Sequence, residues 1–227
     1  MRWNLFPPVF FLCAFVLTLL ASLSTPTIHT IDLFRFYVTP PSTHRLTWRF
    51  GMTGFCFSVP VDLPVSKDTT SCNPLGLGYP LRVVTTDPTT GTEVGETIIM
   101  SRSLSRALIL NPLSSAIAAI AFILTLSQLI LRTGNHRWLP LSVVVISSVS
   151  ALLTTVAFIT DAAIAAHAIR LLSSSVFVPS GSITSADWGN ALWIASGGMI
   201  AGWFGVLSVV FEYMKQSKIN AKLTNTY

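Results

Sequence analysis

Charge is what this chain has least of. Of its 227 residues only 10% are Asp, Glu, Lys or Arg, and just 9 are acidic. Water-soluble domains carry about 25% charged residues. A chain this poor in charge cannot cover a water-facing surface, and 51% of it is hydrophobic, so lipid is the natural solvent for the excess apolar area. The net charge of +5 is spread thinly, with no basic stripe and interleaved aromatics, and no nucleic-acid partner is expected. The chain also lacks H-E-x-x-H, G-x-S-x-G and any phosphate-binding glycine loop. No enzymatic activity and no cofactor are expected. Cysteines number only 3, and two loop cysteines without a nearby paired histidine do not make a zinc set, so no metal is expected. No Asn-x-Ser/Thr acceptor occurs, which excludes N-glycosylation.

What is abundant is long apolar sequence. Four stretches predict transmembrane helices over residues 5–23, 107–131, 139–169 and 189–213. A helix needs about 20 apolar residues to cross the ~30 Å hydrocarbon core. Barrel strands would alternate over ~10 residues, and these runs do not. Backbone groups in lipid must pair internally, which leaves helix. The first stretch has a rival reading as a cleaved signal peptide, with Arg2 as its charged start and Ala21-Ser22-Leu23-Ser24 as its small-residue segment. Its apolar run is longer than a signal core of about 7–15 residues, which favours a retained helix.

Lys and Arg in short flanks set orientation. With residues 1–4, 132–138 and 214–227 in the cytoplasm, that side holds Arg2, Arg132, Arg137, Lys215, Lys218 and Lys222. The short outer loop 170–188 holds only Arg170. Both termini are therefore expected in the cytoplasm, and residues 24–106 form a large extracytoplasmic loop. Its runs Ile31 to Val38, Leu46 to Val59 and Leu81 to Thr86 are rich in β-branched and aromatic residues, bounded by Pro, Gly and Asp. They predict a small antiparallel sheet on top of the bundle, with too little core to stand without a staple. Cys56 and Cys72 lie in this loop and Cys13 in the first helix. An oxidising compartment makes a Cys56–Cys72 disulfide the natural pairing, worth ~3 kcal/mol by loop closure. Two free thiols are the alternative.

The stretch Trp48-Arg49-Phe50-Gly51-Met52-Thr53-Gly54-Phe55-Cys56, followed by Cys72 and then Leu77-Gly78-Tyr79, resembles the first loop of fungal PalI-type proteins. These include pH-response regulators and their eisosomal Sur-seven relatives. The third helix adds Ala157-Phe158-Ile159-Thr160-Asp161 and the fourth opens Trp188-Gly189-Asn190-Ala191-Leu192-Trp193, both similar to motifs of that family. Thr53 stands where claudins carry a tryptophan. The resemblance spans roughly residues 5–213. It implies a claudin-like fold: an all-α membrane protein, a four-helix bundle with a disulfide-stapled sheet in its first outer loop. It further implies a plasma-membrane protein that organises membrane domains or supports a seven-helix alkaline-pH sensor, with lipids and other integral membrane proteins as partners.

Some residues carry a second reading beside the plain one. Asp161 is a carboxylate inside an apolar helix, by default a functional or pairing site. Its small neighbours Ala157, Ala162, Ala165 and Ala168 admit a close partner helix. The functional readings are a proton or ion relay, as in a channel or transporter subunit, or a contact to another protein. The plain one is a hydrogen bond to Gln128, Asn111 or a serine of another helix, or simply a place near the outer interface of the membrane. Gly198, Gly202 and Gly205 line the fourth helix, the first two at G-x-x-x-G spacing. Packing within the bundle is the plain reading, and homo-oligomerisation the sharper one. Histidine is the side chain suited to switching charge near neutral pH, so His29 and His44 are candidates for sensing outside pH, beside their plain reading as surface residues. A claudin-like adhesion protein is a further alternative. Trp3, Trp138 and Trp188 sit at helix ends, where aromatic belts form. The basic tail from Met214 to Tyr227 is expected to touch anionic lipid, at ~1 kcal/mol per cation.

Overall fold

A computed structural model of the chain describes residues 6–39, 46–59, 69–75, 81–86, 93–100, 106–130, 138–173 and 183–224. Trp3, His44, the Leu77-Gly78-Tyr79 segment and the Arg132 to Arg137 connector lie outside the described residues. The described chain runs α1 (Phe6–Ser22), β1 (Phe34–Thr39), β2 (Leu46–Phe50), β3 (Gly54–Val59), β4 (Thr69–Pro74), β5 (Leu81–Thr86) and β6 (Glu93–Met100). A short 3₁₀ turn (Ala107–Ile109) then leads into α2 (Leu110–Ile130), α3 (Trp138–Ser173), β7 (Ile183–Trp188) and α4 (Asn190–Thr224). Three helical segments, Ala107–Ile130, Leu141–Leu171 and Asn190–Lys215, are long and apolar enough to cross a membrane, and α1 is a shorter apolar helix. The chain divides into two compact units.

The helical unit comprises residues 1–20, 110–158 and 194–227. Proline stands in the first turn of three of its helices: Pro7 and Pro8 in α1, Pro112 in α2, Pro140 in α3. There the missing N–H costs nothing, because first-turn amides have no intrahelical partner. All four helices meet around Phe11, Ala121, Val143, Ala151, Val206 and Val209, which are buried. Within this unit the buried side of α3 includes Val143, Ser147, Ser150, Thr154 and Ala157, in alternating steps of four and three. That spacing is the heptad seam of a left-handed bundle. Most of its residues are small, which suits lipid, where close backbone packing rather than the hydrophobic effect draws helices together.

The sheet unit comprises residues 21–109 and 159–193. It holds a five-stranded sheet in the order β4-β3-β2-β1-β7 and a separate β5–β6 hairpin. All of its strand pairs are antiparallel. The expected single run Leu46 to Val59 is two strands, broken at Gly51-Met52-Thr53 and closed by Gly51 N–H donating to the Gly54 carbonyl over 3.0 Å. The expected start at Ile31 moves to Phe34, because Ile31, Asp32 and Leu33 are used as anchoring backbone. The sheet is also not confined to the first loop. β7, from the segment between α3 and α4, pairs with β1 from Phe34↔Trp188 to Thr39↔Ile183.

Register places aromatics in two rows across one face. Phe34, Phe50 and Phe55 are successive cross-strand partners, and so are Phe36, Trp48 and Phe57. Ring centroids along the rows lie 4.9 and 5.7 Å apart in the first, and 5.8 and 5.3 Å in the second. Phe34 and Phe50 are buried, whereas Trp48, Phe55 and Phe57 are half-exposed. Cross-strand aromatic pairs each add ~0.2–1 kcal/mol, so this face supplies the sheet's own core.

Candidate functional site

Cys56 and Cys72 are direct cross-strand partners on β3 and β4, and their sulfurs are joined in a disulfide. Cys56 is buried and Cys72 half-buried. Over the bond lies the turn that follows α1. Thr25 N–H and Oγ1 both donate to the Ile31 carbonyl, at 2.7 and 2.8 Å, closing this turn on itself. Arg49 Nη1 donates to the His29 carbonyl at 3.2 Å, and His29 Nδ1 comes to 3.7 Å from Cys72 Sγ. His29, Cys56 and Cys72 thus cluster, but both sulfurs are spent on each other and leave no thiolate for a metal.

The Gly51 to Cys56 stretch has a mechanical role here. Met52 N–H donates to Ser24 Oγ at 3.1 Å, docking the β2–β3 turn on the segment after α1. At Gly51 a Cβ would run into the Thr25 carbonyl, and at Gly54 into the Asn73 carbonyl. Both glycines are there because backbone passes where a side chain would stand. Trp48 and Phe55 meet at a tilt on the aromatic face, ring centroids 5.6 Å apart.

A second constellation joins the start of β1 to the start of α4. The Leu33 carbonyl accepts from Gly189 N–H at 3.0 Å, and the Asp32 carbonyl accepts from Ala191 N–H at 2.9 Å. One orphan amide of the first turn of α4 is thereby satisfied. A Cβ on Gly189 would run into the Asp32 carbonyl. The Asp32 carboxyl is fully buried and paired with Arg35: Nη2 donates to Oδ1 at 3.2 Å, and Nε lies 2.9 Å from Oδ2 without aiming at it. Arg35 Nη2 also reaches Asn190 Oδ1 at 3.3 Å. Burial opposes the Arg35 charge, but the Asp32 carboxylate and Tyr37 outweigh it and hold the guanidinium above its usual range. Sequence reasoning missed Asp32 and Arg35. The available signal was a carboxylate and a guanidinium three residues apart in an otherwise apolar run.

The remaining sequence candidates separate. Asp161 is 1% exposed and engaged in a polar interaction. Gly198 faces Ala14, Leu17 and Thr18 of α1, Gly205 faces the Phe11 ring, and Gly202 faces Ala151 and Thr154 of α3. All three are buried, so they are spent on packing inside the chain. His29 is exposed, as is Trp188 on β7.

No curated protein sequence matches the chain. The model of the SUR7/PalI family matches residues 3–205, taking in α1, the stapled sheet, α2, α3 and the first half of α4, and the chain therefore belongs to the SUR7/PalI family.

Proposed function

We propose that this chain is a non-catalytic plasma-membrane scaffold or assembly factor of the PalI type, with both termini in the cytoplasm and the sheet outside the cell. It would support ambient-pH signalling or an eisosome-like membrane domain. Its partners would be other integral membrane proteins, a seven-helix pH sensor among them.

The observation that carries this reading is how the helical unit spends its polar groups. Thr18, Ser114, Thr125 and Thr154 are buried hydroxyls on the helices, and each donates to a carbonyl of its own helix at 2.8–2.9 Å. Such back-bonding satisfies the group locally. A conducting path would instead need polar groups converging between helices. The bond of Trp203 Nε1 to Thr155 Oγ1 at 3.0 Å ties α4 to α3. The basic flanks support the orientation, and a disulfide persists in an oxidising compartment.

The test uses Asp161 in the intact protein, with surface abundance and partner delivery read together. Asp161→Asn preserves shape and most hydrogen bonding, and is expected to behave like wild type. Asp161→Leu leaves a polar partner unmatched, at ~0.6–2 kcal/mol for an interhelical bond, and is expected to lower abundance. An Asn variant that reaches the surface normally but is inactive would overturn the scaffold reading, as would ion flux through the purified protein in liposomes.

A further inference from the structure

The helical unit contains a groove that family membership does not account for. It has a volume of about 420 Å³ and is lined by Phe6 and Phe10 of α1 and by Ser208, Phe211, Glu212 and Lys215 of α4. The α4 residues lie beyond position 205, where the family match ends. Phe6 stacks on Phe10 at 6.5 Å, and Phe10 on Phe204 at 5.7 Å, giving a continuous aromatic wall. Phe6, Phe204 and Phe211 remain 43%, 52% and 66% exposed.

The groove's place along the helices says what fills it. The apolar span of α4 ends at Lys215, while the helix itself continues to Thr224. Lys215 therefore stands where hydrocarbon gives way to headgroups, with Lys218 about one turn further on. The other lining wall is the first turns of α1, a helix only 17 residues long. At 1.5 Å per residue it covers roughly 25 Å, short of the ~30 Å core, so lipid must adapt beside it. Ser208 Oγ is already donated to the Phe204 carbonyl at 2.8 Å, and Glu212 has a polar interaction of its own. Among the described residues Lys215 and Lys218 form no ion pair. The groove is thus walled mostly by aromatic rings, with the Glu212 carboxylate in its lining, Lys215 at its mouth and Lys218 just beyond. Its volume lies in the ~300–1,000 Å³ range of small-ligand sites. A partner helix would need an apolar stripe over several turns, and here two turns of α4 are available.

We propose that this groove holds one acyl chain of an anionic glycerophospholipid, whose phosphate lies against Lys215 and Lys218. The inference stands apart from the scaffold reading, since it depends neither on the partner nor on which side of the membrane the chain ends occupy.

Native mass spectrometry of the full-length protein tests it, with phosphatidylserine and phosphatidylcholine of identical acyl chains as competing probes. Wild type should retain one phosphatidylserine in preference to phosphatidylcholine. Each lysine is expected to contribute about fivefold to that preference, so Lys215→Gln with Lys218→Gln should bring it close to parity. Phe211→Ala, at an exposed position whose loss should leave the fold intact, should reduce retention of both lipids. Absence of preference in wild type, or its survival in the double lysine variant, would overturn the proposal. So would unchanged retention in Phe211→Ala, which would reduce the effect to charge alone.

Discussion

The two units of this protein solve the same problem by opposite means. The helical unit packs on what is missing: glycine, alanine and serine let helices approach, and four of its buried hydroxyls close onto their own backbone. Nothing covalent holds it. The sheet unit packs on what is large, two rows of stacked aromatics, and adds a covalent staple and a buried ion pair. Lipid already forces each helix to satisfy its backbone. A small sheet in water has no such constraint, and its turns must be pinned individually. The expected lesson is that the sheet unit fails at single atoms, while the helical unit yields by degrees.

The sharpest break should come at Gly189. Gly189→Ala sets a Cβ on the Asp32 carbonyl, a clash with backbone that has no flexible side chain to move aside. We expect a loss above about 4 kcal/mol, the range kept for severe lesions, read as absence of the protein from the membrane in a protease-protection assay. Arg35→Ala comes next. It strands the fully buried Asp32 carboxylate, and breaking a buried pair from one side costs ~3–5 kcal/mol. Because Arg35 retains 24% side-chain exposure, the lower end is expected. Arg35→Ala with Asp32→Asn should recover much of the loss in thermal unfolding; failure to recover would show that charge is not the cause.

Removing the staple should cost ~3 kcal/mol by loop closure. Cys56→Ala and Cys72→Ala should behave alike, with the double variant little worse, since all three break one bond. A double variant with summed losses would contradict that. The smallest effects belong to the helical unit and differ between two glycines. A Cβ at Gly205 comes within 2.8 Å of the Phe11 ring, whereas at Gly202 it meets Thr154 Oγ1 at an ordinary 3.6 Å. Gly205→Ala should lower the melting temperature by an overpacking cost of ~1–3 kcal/mol, and Gly202→Ala should leave it nearly unchanged. Equal responses would mean that helix propensity, not packing, governs both.

The helices and the disulfide were legible because their signals are local or compartmental: unbroken apolar runs, and two cysteines in one loop. β1 to β3 were partly legible from their aromatic alternation. β4 was not, since Thr69-Thr70-Ser71-Cys72-Asn73-Pro74 has no apolar face of its own and becomes a strand through its register with β3. β7, Ile183-Thr184-Ser185-Ala186-Asp187-Trp188, reads as a polar connector for the same reason. The role of Gly51, Gly54 and Gly189 was hidden too: a glycine announces freedom, but not which carbonyl comes close enough to require it.

The pairing of β1 with β7 also has a consequence in time. The clasp residues Arg35 and Asn190 are 155 positions apart. At a synthesis rate of about 5–20 residues per second, β1 waits on the order of 8–30 s for its neighbour to leave the ribosome. During that interval α2 and α3 are made while one sheet edge stands open, the kind of edge that recruits foreign strands. A nascent chain stopped before residue 183 would carry this open edge permanently, so quality control has a simple feature by which to tell an unfinished molecule from a complete one.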